Sequence, residues 1–479
     1  MGIPSYFFQL MKRHKQIVSV FNTSIKVDNL YLDSNSIIYD VVYSKTIPES
    51  LSKHEFEQQV ILAVCNKILI YLEFIQPSRV YIAFDGVPPM AKMKQQRERR
   101  YKSWITSQWL NEKKAWDTVQ ITPGTAFMKR LDQSLMHFFE PYRKNYTEFI
   151  LSTSNESGEG EHKLFSFIRE NPVKHQTQHT MIYGLDSDLI ILALNHLPVC
   201  DRISLLREAP AFDYKEKSNH LNVLNINQLS DCITETIGKG KLYDYIFMTL
   251  LLGNDFMPHF PALNLRTTGM DTLLNTYVEC MQHSVMFDGK HIHWNNVKLF
   301  INAISVKEQT LFIQEQTSRN RKNIDDTTLE KRINSLPMLK REKEYVICPT
   351  KPEWQHRYYS QLFPENVDVS NVCKNYIEMM EWNIHYYTKG CTNWSMYYTY
   401  AYPPLLEDLV KHIPETQTLP EDYTIVSSNQ LLEYVLPNAL LHYIDSPIAS
   451  DKEKIKLKEP TLVWAYCTYL WESHVHYSV

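Results

Sequence analysis

Thr180–Leu194, TMIYGLDSDLIILAL, is the stretch whose reading decides the fold. An apolar run stops at Gly184, two carboxylates follow at Asp186 and Asp188, and a second apolar run begins. Met181, Ile182 and Tyr183 read as a short buried strand, and Leu189 to Leu194 as the start of an equally buried element, with Gly184 permitting the tight junction. Acids at a strand end face the crevice where open α/β sheets bind ligands, so this Asp-x-Asp is a natural place for a hard cation. Taken alone, the same pattern also describes an acidic surface loop.

The pattern recurs on either side. Asp28 to Asp33, DNLYLD, alternates into a strand ending in an acid, and SNSIIYDVVY follows as a buried helix. Residues 52–75 carry apolar positions at helical spacing. Arg79 to Asp85, RVYIAFD, is a second strand ending in an acid, and GVPP then stops it and opens a helix. Thr147 to Ser152 is a further strand, followed by SNESGEGEHK, where Glu159 and Glu161 flank Gly160 at a helix start. Acids in a first helical turn also simply complement the macrodipole. RISLLRE, residues 202–208, is a strand, and LYDYIFMTLLLGND carries a long apolar helix to Asp255. Gly86, Gly158, Gly160, Gly184 and Gly253 all lie within two positions of these acids, in a chain with only 12 glycines.

The helix after Asp85 is the strongest basic feature. Ala91 to Lys102 holds six Lys or Arg and one Glu, against a net charge of −4 for the whole chain. Lys92, Gln96, Arg99 and Arg100 fall at i, i+4, i+7 and i+8, within roughly a 100° arc of one face. Three cations and an amide there can hold a phosphate beside a metal. A solvated helix face is the plainer alternative.

At 479 residues, 44% hydrophobic and 22% charged, the chain has globular composition and more length than one ordinary core needs. Eight scattered cysteines without a CxxC pair argue against a zinc ribbon or a disulfide framework and for a reducing compartment. The N-terminus has no apolar run of signal-peptide type, and Tyr6 stands where a myristoylation signal wants Ser or Thr. No unbroken run of about 18 apolar residues is visible, so no membrane span is expected. The division expected is a catalytic region over 1–305, a charged helical excursion or linker over 306–345, and an aromatic-rich helical region over 346–479. In that last region Trp382 to Tyr402 holds eight Trp or Tyr, readable as core or, with Lys389, as a base-stacking platform. The tail from 403 to 479 carries no identifiable chemistry.

Seven strand-end or turn carboxylates result: Asp33, Asp85, Glu159, Glu161, Asp186, Asp188 and Asp255. No His or Cys is read as a companion ligand, and oxygen-only ligation selects Mg²⁺ or Mn²⁺ over zinc. Seven acids exceed what one ion needs, and two ions suit the attacking and leaving oxygens of a phosphodiester cleavage. The sequence thus points to a metal-dependent nuclease.

The motifs MGIPSYFFQL, NLYLDSNSIIY, IAFDGVPPMAKMKQQRERRY, ITPGTAFM, GEGEHK, YGLDSDLIIL, LLRE and GNDFMPHFP occur in that order, with GCTNWSMYYTYAYPP later. This set resembles the XRN-type 5′→3′ exoribonucleases. The resemblance implies an α/β fold with a mainly parallel sheet flanked by helices, of the kind shared with flap nucleases. A second, mostly helical region would pack on its active-site face. It implies that the seven acids bind metal, and that Lys92, Gln96, Arg99 and Arg100 hold the 5′-monophosphate of single-stranded RNA. Decapped or cleaved RNA would then be degraded processively to mononucleotides.

Two positions depart from the pattern. Where the family has a base-stacking histidine this chain has Tyr39, which can still stack, and Met396 replaces a tryptophan two residues beyond Trp394. Stacking is therefore expected from Tyr39 and Trp394. No long C-terminal extension of the kind the large cytoplasmic members carry is expected. A monomer is expected, with a cytoplasmic location and the nucleus left open. The rival readings are a structure-specific flap or DNA 5′ nuclease and an inactive RNA-binding scaffold. FMPHFPALNLRTTG after Asp255 lacks the turn that grips duplex DNA, and all seven acids are present, which counts against each in turn.

Overall fold

The computed structural model describes residues 3, 5–48, 50–112, 116–208, 221–443 and 460–476. Of the first motif, Met1, Gly2 and Pro4 lie outside the described residues. Seven strands form one sheet: β1 (Val18–Val20), β2 (Asn29–Asp33), β3 (Arg79–Ala83), β4 (Glu148–Ser152), β5 (His179–Tyr183), β6 (Arg202–Glu208) and β7 (Leu221–Asn225). Their spatial order is β1-β7-β6-β5-β2-β3-β4. β6, β5, β2, β3 and β4 run parallel, while β7 is antiparallel to β6 and to β1. The chain builds outward from β2 through β3 to β4, then returns to place β5 on the other side of β2. That return makes the switch point of the sheet, beside which ligands bind in open α/β folds.

Strand alternation sends residues to two cores. Leu30, Leu32, Val80, Ile82, Met181 and Tyr183 pack on one face with Val60, Val64 and Ile68 of the helix Lys53–Ile75. That helix starts at a capping box between Ser52 and Glu55. It is long and apolar enough by composition to cross a bilayer, contrary to the sequence expectation. Its Val60, Val64, Ile68 and Leu72 side is buried against the sheet, and Glu57 on that side is buried too, accepting from Trp116 Nε1.

Tyr31, Ala83, Ile182 and Leu205 point to the opposite face. There they meet Leu164 and Phe165 of the helix Gly160–Glu170, Leu189 of the helix Asp188–Asn195, and Ile246 of the helix Leu242–Thr249. The same apolar core runs on without a break through Tyr277, Phe300, Trp382 and Tyr398 of the helical half. Residues 306–345, expected as an excursion or linker, form helices that are tied into the body. Leu311 and Phe312 join the main core, and the fully buried Glu344, paired with Arg319 and Arg341, accepts from the Tyr466 N–H.

Candidate active site

Six of the seven acids come from the carboxyl edge of three adjacent strands and from two helix starts. Asp33 closes β2 opposite Ala83 of β3, and Asp85 lies two residues beyond β3. Asp186 and Asp188 follow β5, the strand on the other side of β2. Glu159 stands at the position just before the Gly160–Glu170 helix and Glu161 lies in its first turn. Two glycines let these elements close up. A Cβ at Gly160 would lie 2.6 Å from Asp33 Oδ1, and one at Gly184 would lie 2.2 Å from Leu189 Cδ1. The Gly160 N–H donates to Asp85 Oδ1 at 2.7 Å, and Asn35 Nδ2 donates to Asp85 Oδ2 at 2.5 Å.

The seventh acid arrives from the helical half. Past the helix Leu242–Thr249, Gly253 takes φ +76° and turns the chain so that Asp255 faces Glu159. Lys92 lies between the two, with Nζ 2.6 Å from Glu159 Oε2 and 2.7 Å from Asp255 Oδ2. Glu159 Oε1 accepts a 2.7 Å hydrogen bond from the Tyr386 hydroxyl, on the helix Val369–Thr388. Glu159 is thus spent on Lys92 and Tyr386, and its side chain does not cap the helix that follows it. Complementing the macrodipole does not explain it.

Charge crowding dominates the electrostatics. Burial, then the neighbouring Asp85 and Asp186, push the Asp33 carboxyl well above its usual range. Burial and the Asp186 charge do the same to Glu161 and to Asp188. Burial alone would lower the Lys92 ammonium, but Asp255 and Glu159 outweigh it and raise it well above its ordinary value. Both oxygens of Asp188 are buried without a hydrogen-bond partner among the described residues. Unpartnered buried carboxylate oxygens are costly unless a cation or proton meets them. Oxygen-rich, thiolate-free and short of positive charge, this donor set fits a hard divalent cation.

A model of the XRN 5′-3′ exonuclease N-terminus matches residues 1–209, and a model of the Xrn1 helical domain matches residues 240–347 and 346–447. The chain belongs to the XRN family. 5′-3′ exoribonuclease 1 of Saccharomyces cerevisiae is 26% identical over 87% of this chain and 38% of its own length. 5′-3′ exoribonuclease 2 of the same yeast is 30% identical over 58% of this chain and 35% of its own. The chain therefore spans well under half the length of these relatives. Among solved structures, human GEN1 in complex with Holliday junction DNA aligns with 96% of the chain at 11% identity and a TM-score of 0.38, too slight a likeness to carry an argument.

Within this XRN chain the basic helix, Met90–Leu110, does not present its four expected residues alike. Lys92, Gln96 and Arg100 are buried. Arg100 donates to Gln96 Oε1 at 3.2 Å and to Thr122 Oγ1 at 2.8 Å. Burial, helped by Arg99, pushes the Arg100 guanidinium down to about 10, with Tyr39 nearby opposing. Arg99 is only half-buried and lines a cavity that Asp255 also borders. Tyr39 is half-buried, stacked on Tyr43 with centroids 6.3 Å apart. Trp394 is half-buried, and its carbonyl accepts from the Met90 N–H, which fixes it at the start of the basic helix.

Three features escaped the sequence reading. His162 is a neighbour of the acids after all: Glu159, Glu161 and His162 offer ligand atoms within 4.8 Å of one another. Its ring stacks on Tyr386 at 3.6 Å, and burial holds it neutral, well below its ordinary pKa. The aromatic segment is mostly core, since Trp382, Tyr386, Tyr387, Tyr398 and Tyr402 are buried. Two of its members serve the acids: besides Tyr386, the Tyr387 hydroxyl accepts from Asn254, next to Asp255. The tail is not inert either. Lys102 of the basic helix donates to the carbonyls of Trp471 and Ser473, and Arg266 pairs with Glu472. GEGEHK did show a His beside Glu161, whereas nothing local marked Tyr386 or Trp471.

Proposed function

We propose that the chain is a metal-dependent 5′→3′ exoribonuclease that removes mononucleotides processively from single-stranded RNA bearing a 5′-monophosphate. The observation that carries this reading is the convergence of seven carboxylates, with Lys92 the ammonium ion-paired within them, at the switch point of the sheet. Asp33, Asp85, Glu159, Glu161, Asp186, Asp188 and Asp255 would hold two Mg²⁺ or Mn²⁺ ions, which supply an activated water and charge stabilisation at the leaving oxygen. Lys92 ties Asp255 to Glu159 and keeps the two acids in place before substrate binds.

Support for the 5′-phosphate end comes from Gln96 and Arg100, buried one helical turn apart beyond Lys92 and already oriented by each other and by Thr122. A rigid, enclosed guanidinium and amide favour a compact phosphate over a cap or triphosphate. Tyr39 beside Arg100, and Trp394 at the opening of the same helix, are placed to stack on bases. The test is degradation of one 3′-labelled RNA carrying a 5′-monophosphate, a 5′-triphosphate or a 5′-hydroxyl, with Mg²⁺ and with EDTA. Loss of the monophosphate substrate alone, abolished by EDTA, is expected. Equal attack on all three ends would refute the pocket assignment, and no attack on any would refute the activity.

A further inference from the structure

Four histidines are buried among the described residues: His162, His175, His179 and His196. Three of them have a partner for each ring nitrogen. His175 meets the Asn171 carbonyl at 2.7 Å and the Tyr31 hydroxyl at 2.6 Å, and His179 meets the Lys26 carbonyl at 3.0 Å and Ser204 Oγ at 2.8 Å. His196 meets the Leu192 carbonyl at 2.6 Å and Arg169 at 3.0 Å. His162, 6% exposed, has no hydrogen-bond partner on either nitrogen among the described residues. A buried polar atom left unpaired is costly, so this exception points to a partner from outside the chain. The ring is also held firmly where it stands. Tyr386 stacks on it with centroids 3.6 Å apart, and the same tyrosine donates its hydroxyl to Glu159 Oε1 at 2.7 Å. One side chain of the helical half thereby orients both the imidazole and an acid of the cluster, as the outer groups of metal sites do for their ligands.

We infer that His162 is an eighth ligand of the cluster, which makes the position beside Glu159 and Glu161 a mixed nitrogen–oxygen site for a first-row transition cation such as Mn²⁺ in preference to Mg²⁺. The inference rests on the metal-dependent reading and deepens it by naming the class of cation at one position. A nitrogen of His162 and an oxygen from each of Glu159 and Glu161 lie within 4.8 Å of one another. Ligand atoms stand about 2.0–2.2 Å from an ion, so those sharing one are up to roughly 4.4 Å apart, and small side-chain movements close the set. No described residue bonds to either nitrogen, so the ring can turn a lone pair to a cation without giving up a hydrogen bond. Imidazole suits transition cations, whereas Mg²⁺ favours oxygen ligands and keeps its waters. Oxygen-only ligation, the expectation from the sequence, then holds for the rest of the acids and not for this position.

Pulsed electron paramagnetic resonance of the whole chain, loaded with less than one equivalent of Mn²⁺, reads a ligand nitrogen directly and needs neither RNA nor turnover. Wild type should show nitrogen modulation that changes frequency when only the histidines carry ¹⁵N. The modulation should vanish in His162→Phe, which keeps a ring for Tyr386 to stack on. It should vanish equally in His162→Gln, which offers an amide oxygen instead, so the outcome does not hang on how well one variant folds. In calorimetric titrations, the preference for Mn²⁺ over Mg²⁺ should fall at least about tenfold in His162→Phe, with nearly all of the change in the Mn²⁺ affinity. Mn²⁺ that binds wild type without histidine modulation, or modulation that survives both substitutions, would overturn the ligand assignment and leave the seven-acid nuclease reading standing. Failure of Mn²⁺ to bind wild type at all would overturn both. A His162-dependent signal in a protein that degrades no RNA would instead sink the exonuclease reading alone.

Discussion

Lys92→Met removes the ammonium that bridges Glu159 at 2.6 Å and Asp255 at 2.7 Å. Both carboxylates have little recourse to water, with side chains 4% and 6% exposed. Deleting one partner of a buried ion pair costs about 3–5 kcal/mol, because the other charge stays buried. Protons can absorb part of that cost. Burial already raises Glu159, with Lys92 opposing, so loss of Lys92 must raise it further. An acid whose pKa is higher in the folded than in the unfolded state binds protons preferentially when folded, so its contribution falls as pH rises through the folded value. The variant should therefore lose stability more steeply than wild type as pH rises from the ordinary glutamate range, about pH 4.5, to about pH 7. Urea unfolding in EDTA at both pH values measures this, and repeating it with Mn²⁺ should restore part of the loss by supplying the missing positive charge. A loss under about 1 kcal/mol at both pH values, indifferent to Mn²⁺, would refute the claim that Lys92 is what neutralises the metal-free cluster.

Tyr386→Phe deletes the 2.7 Å hydrogen bond to Glu159, the kind of bond to a charged group worth about 1.5–3 kcal/mol. The cation concentration for half-maximal RNA degradation should rise about tenfold, and an unchanged requirement would remove Tyr386 from the site. Asp188→Asn should abolish degradation while metal-free stability holds or rises by about 1–2 kcal/mol, since it neutralises an acid whose two oxygens are unpartnered. A marked loss of metal-free stability would contradict that. Away from the site, burial pushes Glu308 up to about 8, against the backbone N–H groups of Leu406 and Glu407 that it accepts from. Its contribution to stability is full below the ordinary glutamate range and falls as pH rises toward 8, so Glu308→Gln should flatten the thermal-unfolding midpoint across pH 5–8. The difference in slope should correspond to roughly 2–4 kcal/mol, and parallel curves would exclude it.

What was legible in the sequence is what short-range chemistry encodes. A strand runs straight into an acid at Asp33, and strand, glycine and acid lie within a few residues of one another at Asp85 and Asp186, so both the strands and the edge that carries the site could be read directly. The basic face of the Met90–Leu110 helix was legible for the same reason. Its partners were not, because Lys92 meets an acid 163 residues away and only the docking of two halves brings them together. The aromatic run at Trp382–Tyr402 stayed open between core and stacking platform, because periodicity does not distinguish a ring that stacks on a base from one that packs on His162. The tail gave no signal at all. Its hold on the basic helix comes from the backbone carbonyls of Trp471 and Ser473, which any residue type would offer.

The arrangement has a consequence for how the site is divided along the chain. Asp33, Asp85, Glu159, Glu161, Asp186 and Asp188 lie within residues 1–209, whereas Asp255 and both tyrosines that serve the cluster lie in the helical half. The sheet domain alone would gather six mutually repelling acids around Lys92 with one of its two anionic partners gone. The helical half supplies Asp255 to that lysine and the Tyr386 hydroxyl to Glu159, and it contributes its own side chains to the core beneath. Docking of the halves and completion of the acid cluster are therefore one event. A substitution that loosens the Val369–Thr388 helix should reach the chemistry through Glu159 and Asp255 before it unfolds the sheet.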